Sequence, residues 1–283
     1  MTAGLTCTDL TPRVGSLVET DLPTLLSGSH AAGLRQLLEE RSVVAIRGIE
    51  LNDAQQIAIA RTLGHVESSV VGEIYKVTFD EKDNPVGASI NRATFFWHID
   101  RTDLDVPPFA SMLSAKVLTP TGGQTDFVNT YAAYDDLPDS EKERLDDVRI
   151  VHCMETAFLE AFPNPTEKQL AAWENMPVKT HPLVWHHRSG RNSLVLSNSA
   201  RAVVGMGDDE GQELLGRLLA WATQPQFVYV HEWAINDLVI WNNTGAMHRV
   251  REYDPELGRR LHRTTLLGDE PFDAGEEDDA RQG

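Results

Sequence analysis

With 283 residues and 41% apolar side chains, the chain can bury a substantial core without disulfides or a structural metal, and one β-rich domain accommodates this length. The formal charge of −18 argues against general nucleic-acid affinity, which draws on clustered Lys and Arg, but leaves small anionic ligands open because local arginines decide those. Cys7 and Cys153 offer no disulfide framework, MTAGLTCTDL has neither a basic nor an apolar leader region, and no apolar run nears the roughly eighteen residues of a membrane helix, so a cytoplasmic protein with no membrane partner is expected.

Leu34, Leu37 and Leu38 recur at helical spacing within His30–Glu40, and the apolar run Val43–Ile46, bounded by Gly48, reads as a buried strand. Asn52 is placed to cap a second helix ending at Leu63, with Ile57, Ala60 and Leu63 on one face and Gly64 as the stop. The EKDNPVG stretch, residues 81–87, is a turn leading to the segment FFWHIDRTD. Strands are expected at Ala110–Leu118, Thr125–Val128, Val148–Cys153, Leu194–Ser197, Phe227–His231, Leu238–Trp241 and Leu261–Leu267. Helices interrupt them near Ser140 and over Asp208–Thr223, the latter with Leu214, Leu215, Leu218 and Trp221 facing inward. Repeated short strands with Gly and Pro punctuation predict a mainly β fold with flanking helices around a double-stranded β-helix, or jelly roll. Residues 1–272 form a single domain in this reading, and the acidic end 273–283 is expected to be solvated and disordered. The Pro-punctuated insertion at 155–179 is either a lid or a peripheral helix packed on the barrel.

The chemistry concentrates in two distant segments. In an extended strand residues i and i+2 face the same side, so His98 and Asp100 can chelate one ion while Ile99 turns into apolar packing. An H-x-D tripeptide alone arises often by chance. His248, in NNTGAMHRV after the strand Leu238–Trp241, supplies the third donor. Two imidazoles and one carboxylate leave the opposite face of a divalent metal open, the arrangement of non-haem Fe(II) oxygenases, and they hold iron without the soft thiolates that favour zinc or iron–sulfur clusters. The cluster His181, His186 and His187 runs into Arg188-Ser189-Gly190, which reads as a turn, and His152 and His231 read as satisfied polar groups. Trp97 and Trp241 flank the ligand segments, to exclude water from the iron or simply to fill the core. Strand alternation points His262 away from Arg263.

Taken together, from about Gly15 to about Phe272 the chain resembles the taurine dioxygenase / 2,4-dichlorophenoxyacetate dioxygenase family of Fe(II)- and 2-oxoglutarate-dependent enzymes. The resemblance implies that Arg259, eleven residues after His248, pairs with the far carboxylate of 2-oxoglutarate. It further implies that Thr125, in PTGGQT, binds the same carboxylate, and that Arg263 is the family's second arginine, available to an anionic substrate. A guanidinium suits the first role because its rigid fork engages a carboxylate bidentately. Phe95 and Phe96 alternate just before His98, so one can face substrate while the other enters the core.

The implied reaction consumes O2 and 2-oxoglutarate, releases succinate and CO2, and oxidises a C–H bond of a small molecule, with a small organic acid expected first. Asp100 is retained where related halogenases carry a small residue, so hydroxylation or another oxidation is implied. Asn242 stands where the family usually has aspartate, which bears on how neighbouring groups orient the metal ligands. The taurine enzyme's asparagine four positions before the first histidine is replaced by Thr94, so taurine is not the expected substrate. Oxidative tailoring of a natural-product intermediate, a non-catalytic metal-binding jelly roll and a zinc hydrolase stay open, as does a homo-oligomer.

Overall fold

The structure is a computed structural model and describes residues 5–273 apart from 70, 86 and 89; all but the first residue of the expected acidic tail lies outside them. In chain order it begins with strands β1 (Thr6–Asp9) and β2 (Ser16–Glu19), helices α1 (Leu22–Ser27) and α2 (Ala31–Arg41), strand β3 (Val43–Ile46), helix α3 (Asp53–Leu63) and strand β4 (Tyr75–Val77). Next come β5 (Ala110–Val117), β6 (Thr125–Asn129), α4 (Thr130–Asp135), α5 (Asp139–Leu145), β7 (Arg149–Cys153), α6 (Met154–Ala161) and α7 (Glu167–Trp173). The remainder is β8 (Val178–Pro182), β9 (Val184–His186), β10 (Asn192–Leu194), β11 (Ala200–Val203), α8 (Asp208–Ala222), β12 (Val228–His231), β13 (Leu238–Asn242), β14 (Ala246–Val250) and β15 (Arg260–Leu266).

The larger sheet runs β1-β2-β3-β13-β5-β15-β4, antiparallel except where β2 meets β3. It faces the smaller sheet β12-β6-β14, and the expected jelly-roll core lies between them. Val43, Ala45, Leu113, Val239, Trp241 and Leu261 from the larger sheet meet Phe127, Tyr229 and Ala246 from the smaller one. The alternate residues Val44, Ile46, Met112, Leu238 and Ile240 turn outward against α2 and α3. Burial on both faces explains why β3 and β13 are continuous apolar runs with no polar alternation.

Helix α3 starts as expected: Gln55 N donates to Asn52 Oδ1 and Asn52 N to Gln55 Oε1, both at 2.9 Å. Its buried face, however, is Gln56, Ile59, Ala60 and Leu63, with Ile57 only half-buried. Gln56 can face inward because Ser114 Oγ donates to its Oε1 (2.6 Å) and its Nε2 donates to His262 O (2.9 Å). That pairing removes the cost of burying an amide and ties the helix to β5 and β15.

The strand expected at 194–197 ends at Leu194. A short hairpin turning at Gly190 (φ +82°) joins β9 to β10, and the chain then diverges so that Asn198 N donates to Trp97 O at 2.9 Å. The insertion at 155–179 contains most of α6, all of α7 and the first residues of β8. Phe158 and Trp173, one on each helix, are buried and pack with Ala93 from the 3-10 turn Asn91–Phe95.

Candidate metal centre

The 3-10 turn delivers the chain to His98, which forms a lone antiparallel bridge with His248 of β14. His98 N donates to His248 O at 3.0 Å, and His248 N donates to His98 O at 2.9 Å. The extended strand expected here is therefore a single bridge, with Asp100 in a turn. Arg101 follows in the left-handed region (φ +62°), which turns the chain away before a second strand residue can pair. Same-side projection of His98 and Asp100 needs only this short extended stretch, and Ile99 between them is buried in apolar packing as expected.

One ligand atom from each of His98, Asp100 and His248 lies within 4.8 Å of the others, a group able to hold a metal ion. Asp100 Oδ1 is 3.8 Å from His98 Nε2 and 3.9 Å from His248 Nε2. His98 Nδ1 lies 2.9 Å from Phe96 O, a contact that places the ring proton on Nδ1 and leaves the Nε2 lone pair facing the other donors. The His248 ring sits between Trp241 (4.7 Å) and Phe127 (6.1 Å), both of which wall it from water.

Burial pushes both imidazoles down, His248 to about 3 with His98 as the second cause. For Asp100 burial acts upward, but Arg263, the two imidazoles and the Ser111 hydroxyl outweigh it and bring the carboxyl to about 2. The arrangement is thus two neutral imidazoles and one carboxylate, a donor set that fits Fe(II).

Asn243 and Ser111 complete the support of Asp100. Asn243 Oδ1 accepts from Asp100 N and its Nδ2 donates to Asp100 O, both at 3.0 Å, while Ser111 Oγ donates to Asp100 Oδ2 at 3.1 Å. No local sequence pattern marks contacts that span 143 residues. Asn242 instead accepts from Thr244 N (2.9 Å) and Thr244 Oγ1 (2.7 Å) and donates to Leu38 O (3.3 Å), so its side chain shapes the turn after β13.

Arg259 is buried to 1% exposure, with Nη2 donating to Gly123 O at 2.8 Å and its Cζ 5.0 Å from the Tyr253 ring centre. Its Nε and Nη1 have no hydrogen-bond partner among the described residues. A buried cation with unmet donors is costly unless an anion joins it, so this position fits a carboxylate. Gly123 makes room: its φ is +75°, and a Cβ there would lie 2.8 Å from Arg259 Nε.

Thr125 pairs with Val250 while Phe127 pairs with His248, which puts Thr125 and His248 on the same inner side of the smaller sheet. Arg263 Nη1 lies 3.5 Å from Asp100 Oδ1, and its guanidinium is over the Tyr75 ring at 4.9 Å. His262 turns outward to Asp53 Oδ1 (2.6 Å), in agreement with the alternation.

Phe95 joins Phe79 and Tyr253 in an aromatic trio with centroid distances of 5.9 Å to each. Phe95, Phe96 and Trp97 line a cavity of about 600 Å³ together with Glu160, Leu215 and Arg249. His98, Asp100 and His248 are not in its lining, but their chain neighbours Trp97 and Arg249 are, and the Arg249 guanidinium stacks 4.6 Å from the Trp97 ring centre. Buried Asp126 fixes Arg249 Nε (3.1 Å) and Arg251 Nε (2.8 Å) beside it.

The histidines of the 181–187 cluster have partners elsewhere. His181 Nε2 meets Thr102 O (2.9 Å), His187 Nε2 meets Ser193 Oγ (2.8 Å), and His186 Nε2 meets Asp146 Oδ1 (3.0 Å). His152 is only half satisfied: Nδ1 meets Ser199 Oγ (2.9 Å) and Nε2 has no partner among the described residues. Among those residues no helix is long and apolar enough to cross a membrane.

Residues 6–265 match the family described as "Taurine catabolism dioxygenase TauD, TfdA family". The chain is 35% identical over 274 residues to an alpha-ketoglutarate-dependent 2,4-dichlorophenoxyacetate dioxygenase of Burkholderia sp. (strain RASC), covering 90% of this chain and 91% of that one. It is 31% identical to an (S)-phenoxypropionate/alpha-ketoglutarate-dioxygenase of Sphingobium herbicidovorans, over 77% of this chain and 79% of the relative. The crystal structure of AAD-2 in complex with Mn(II) and N-oxalylglycine superposes with a TM-score of 0.82 at 31% identity, covering 95% of this chain and 99% of that one. The chain therefore belongs to the TauD/TfdA family and is an Fe(II)- and 2-oxoglutarate-dependent dioxygenase that acts on a small molecule.

Proposed function

We propose that His98, Asp100 and His248 hold the iron, that Arg259 and Thr125 take the far carboxylate of 2-oxoglutarate, and that the substrate is a small organic acid with an apolar, preferably aromatic, body. The observation that carries this reading is the buried Arg259 guanidinium, whose Nε and Nη1 are unmet beside Gly123. Iron and 2-oxoglutarate together supply the oxidising chemistry: the co-substrate loses CO2 to become succinate as O2 is consumed and a substrate C–H bond is oxidised.

The protein's own residues orient and insulate. Ser111 and Asn243 fix the carboxylate and backbone of Asp100, and Phe96 O fixes the tautomer of His98. Arg263 supplies a cation at the metal side for a substrate carboxylate, and Phe95 and Phe96 supply the apolar wall. The two relatives are named for a dichlorophenoxyacetate and a phenoxypropionate, each an aromatic ring joined to a carboxylate, which supports the same class here. Thr156 and Glu160 of α6 line the cavity, so the 155–179 segment acts as its cover in this reading. Unpaired Cys7 and Cys153 fit a reducing, cytoplasmic setting.

The test is succinate formation and O2 uptake with a panel of aryloxyalkanoic acids, their neutral methyl esters, and taurine. Turnover with the acids and not the esters is expected. Equal turnover of the esters would overturn the anion reading, and failure of Arg259→Ala to raise the 2-oxoglutarate requirement would overturn the co-substrate assignment.

A further inference from the structure

Trp233 lies between β12 and β13, 108 residues from Thr125 in sequence, yet its indole Nε1 donates to Thr125 Oγ1 at 3.0 Å. An indole N–H can only donate, which settles the direction of this bond: the threonine oxygen accepts, and its hydroxyl hydrogen must point elsewhere. Thr125 is itself buried, and the register of β6 places it on the inner side that also carries His248. We propose that Trp233 is a positioning residue for the co-substrate, holding the Thr125 hydroxyl as a donor toward the carboxylate that Arg259 receives. This rests on the reading of Thr125 and Arg259 as a carboxylate-holding pair.

The indole is in turn held from behind. Its ring meets His231 edge to face at 4.5 Å, and His231 is fully buried between Tyr229 OH (2.8 Å to Nδ1) and Asp237 Oδ2 (3.1 Å to Nε2). Asp237 also accepts from Ala234 N at 2.8 Å and pairs with Arg47. Each ring nitrogen of His231 therefore has a fixed partner, so the wall behind the indole cannot easily rotate. Removing the indole N–H would free the threonine oxygen to accept from water or another donor, and its hydrogen would lose its single direction.

The experiment uses the Fe(II)-loaded full chain under anaerobic conditions and follows the visible charge-transfer band on titration with 2-oxoglutarate and, separately, 2-oxobutyrate. The second ligand has the same chelating end but no far carboxylate. Trp233→Phe is expected to raise the 2-oxoglutarate Kd about three- to tenfold, the loss of one hydrogen-bond's ordering, and to leave 2-oxobutyrate unchanged. In a Thr125→Val background, Trp233→Phe should add no further loss. Equal weakening of both ligands, an unchanged 2-oxoglutarate Kd, or full additivity with Thr125→Val would overturn the positioning role. If Thr125→Val alone leaves 2-oxoglutarate binding intact, the carboxylate assignment of Thr125 falls and takes this proposal with it; if only Trp233→Phe is silent, the assignment stands and the proposal alone falls. Should Trp233→Phe not fold, Trp233→Leu is read with the same pair of ligands.

Discussion

Asn243 grips the backbone of Asp100 from both sides, accepting from its N–H and donating to its carbonyl at 3.0 Å each. Asp100 occupies a turn that no sheet ladder secures, so these two bonds substitute for strand pairing. Asn243→Ala is expected to weaken Fe(II) binding about 10- to 100-fold, the range found when partners of metal ligands are lost. Competition with a calibrated chelator measures this, and an unchanged affinity would show that Asp100 is held by Ser111 alone.

His98→Ala and His248→Ala should each abolish retention of iron through gel filtration, read as iron content per chain. Asp100→Asn keeps the shape but removes the charge next to Arg263, 3.5 Å away, and should stop succinate formation coupled to substrate. Any of these variants turning over normally would remove the proposed ligand set.

For the co-substrate end, Arg259→Ala should raise the 2-oxoglutarate KM by roughly two orders of magnitude, since charge-assisted bonds to a buried carboxylate contribute about 1.5–3 kcal/mol each. Gly123→Ala reaches the same residue indirectly. It places a methyl 2.8 Å from Arg259 Nε on a backbone with φ +75°, so it should lower the melting temperature as well as co-substrate affinity. A variant with normal KM would mean that the guanidinium has freedom the close packing denies it.

Away from the metal, His152 sets an acid limit on stability. Burial, followed by the neighbouring His181, depresses it from 6.5 to about 3. The unfolded chain then binds a proton that the native state refuses, so the contribution is present above about pH 6.5 and is lost as pH falls toward 3. Over that window each pH unit costs about 1.4 kcal/mol for one proton. His152→Gln should flatten the acid limb of a denaturant-stability profile by about that slope; an unchanged limb would place the titration elsewhere.

What could be read from the sequence follows from the range of the forces involved. The cap at Asn52 and the apolar run at β3 are local, and both are where the sequence indicates. The grouping of His98, Asp100 and His248 was legible because coordination chemistry constrains which residue types can share an ion. The shape of the H-x-D segment was not, because the left-handed Arg101 and the Asn243 contacts that shape it depend on the rest of the fold. Short edge strands such as the largely exposed β1 and the half-buried β4 carry little apolar pattern, and β4 takes its place by pairing with β15. Trp233 and Thr125 illustrate the same limit: nothing near either residue announces a bond across 108 positions.

The reciprocal amide bonds between His98 and His248 have a consequence for the empty enzyme. Because main-chain atoms join the two imidazole-bearing segments, their spacing does not depend on the ion to draw them together. Demetallation and denaturation then become separate events: protein stripped by a chelator should keep a cooperative thermal transition, at a temperature lowered by the loss of ion binding to the native state, and regain full occupancy when ferrous salt is restored. On that outcome, iron is a replaceable guest in a scaffold assembled beforehand.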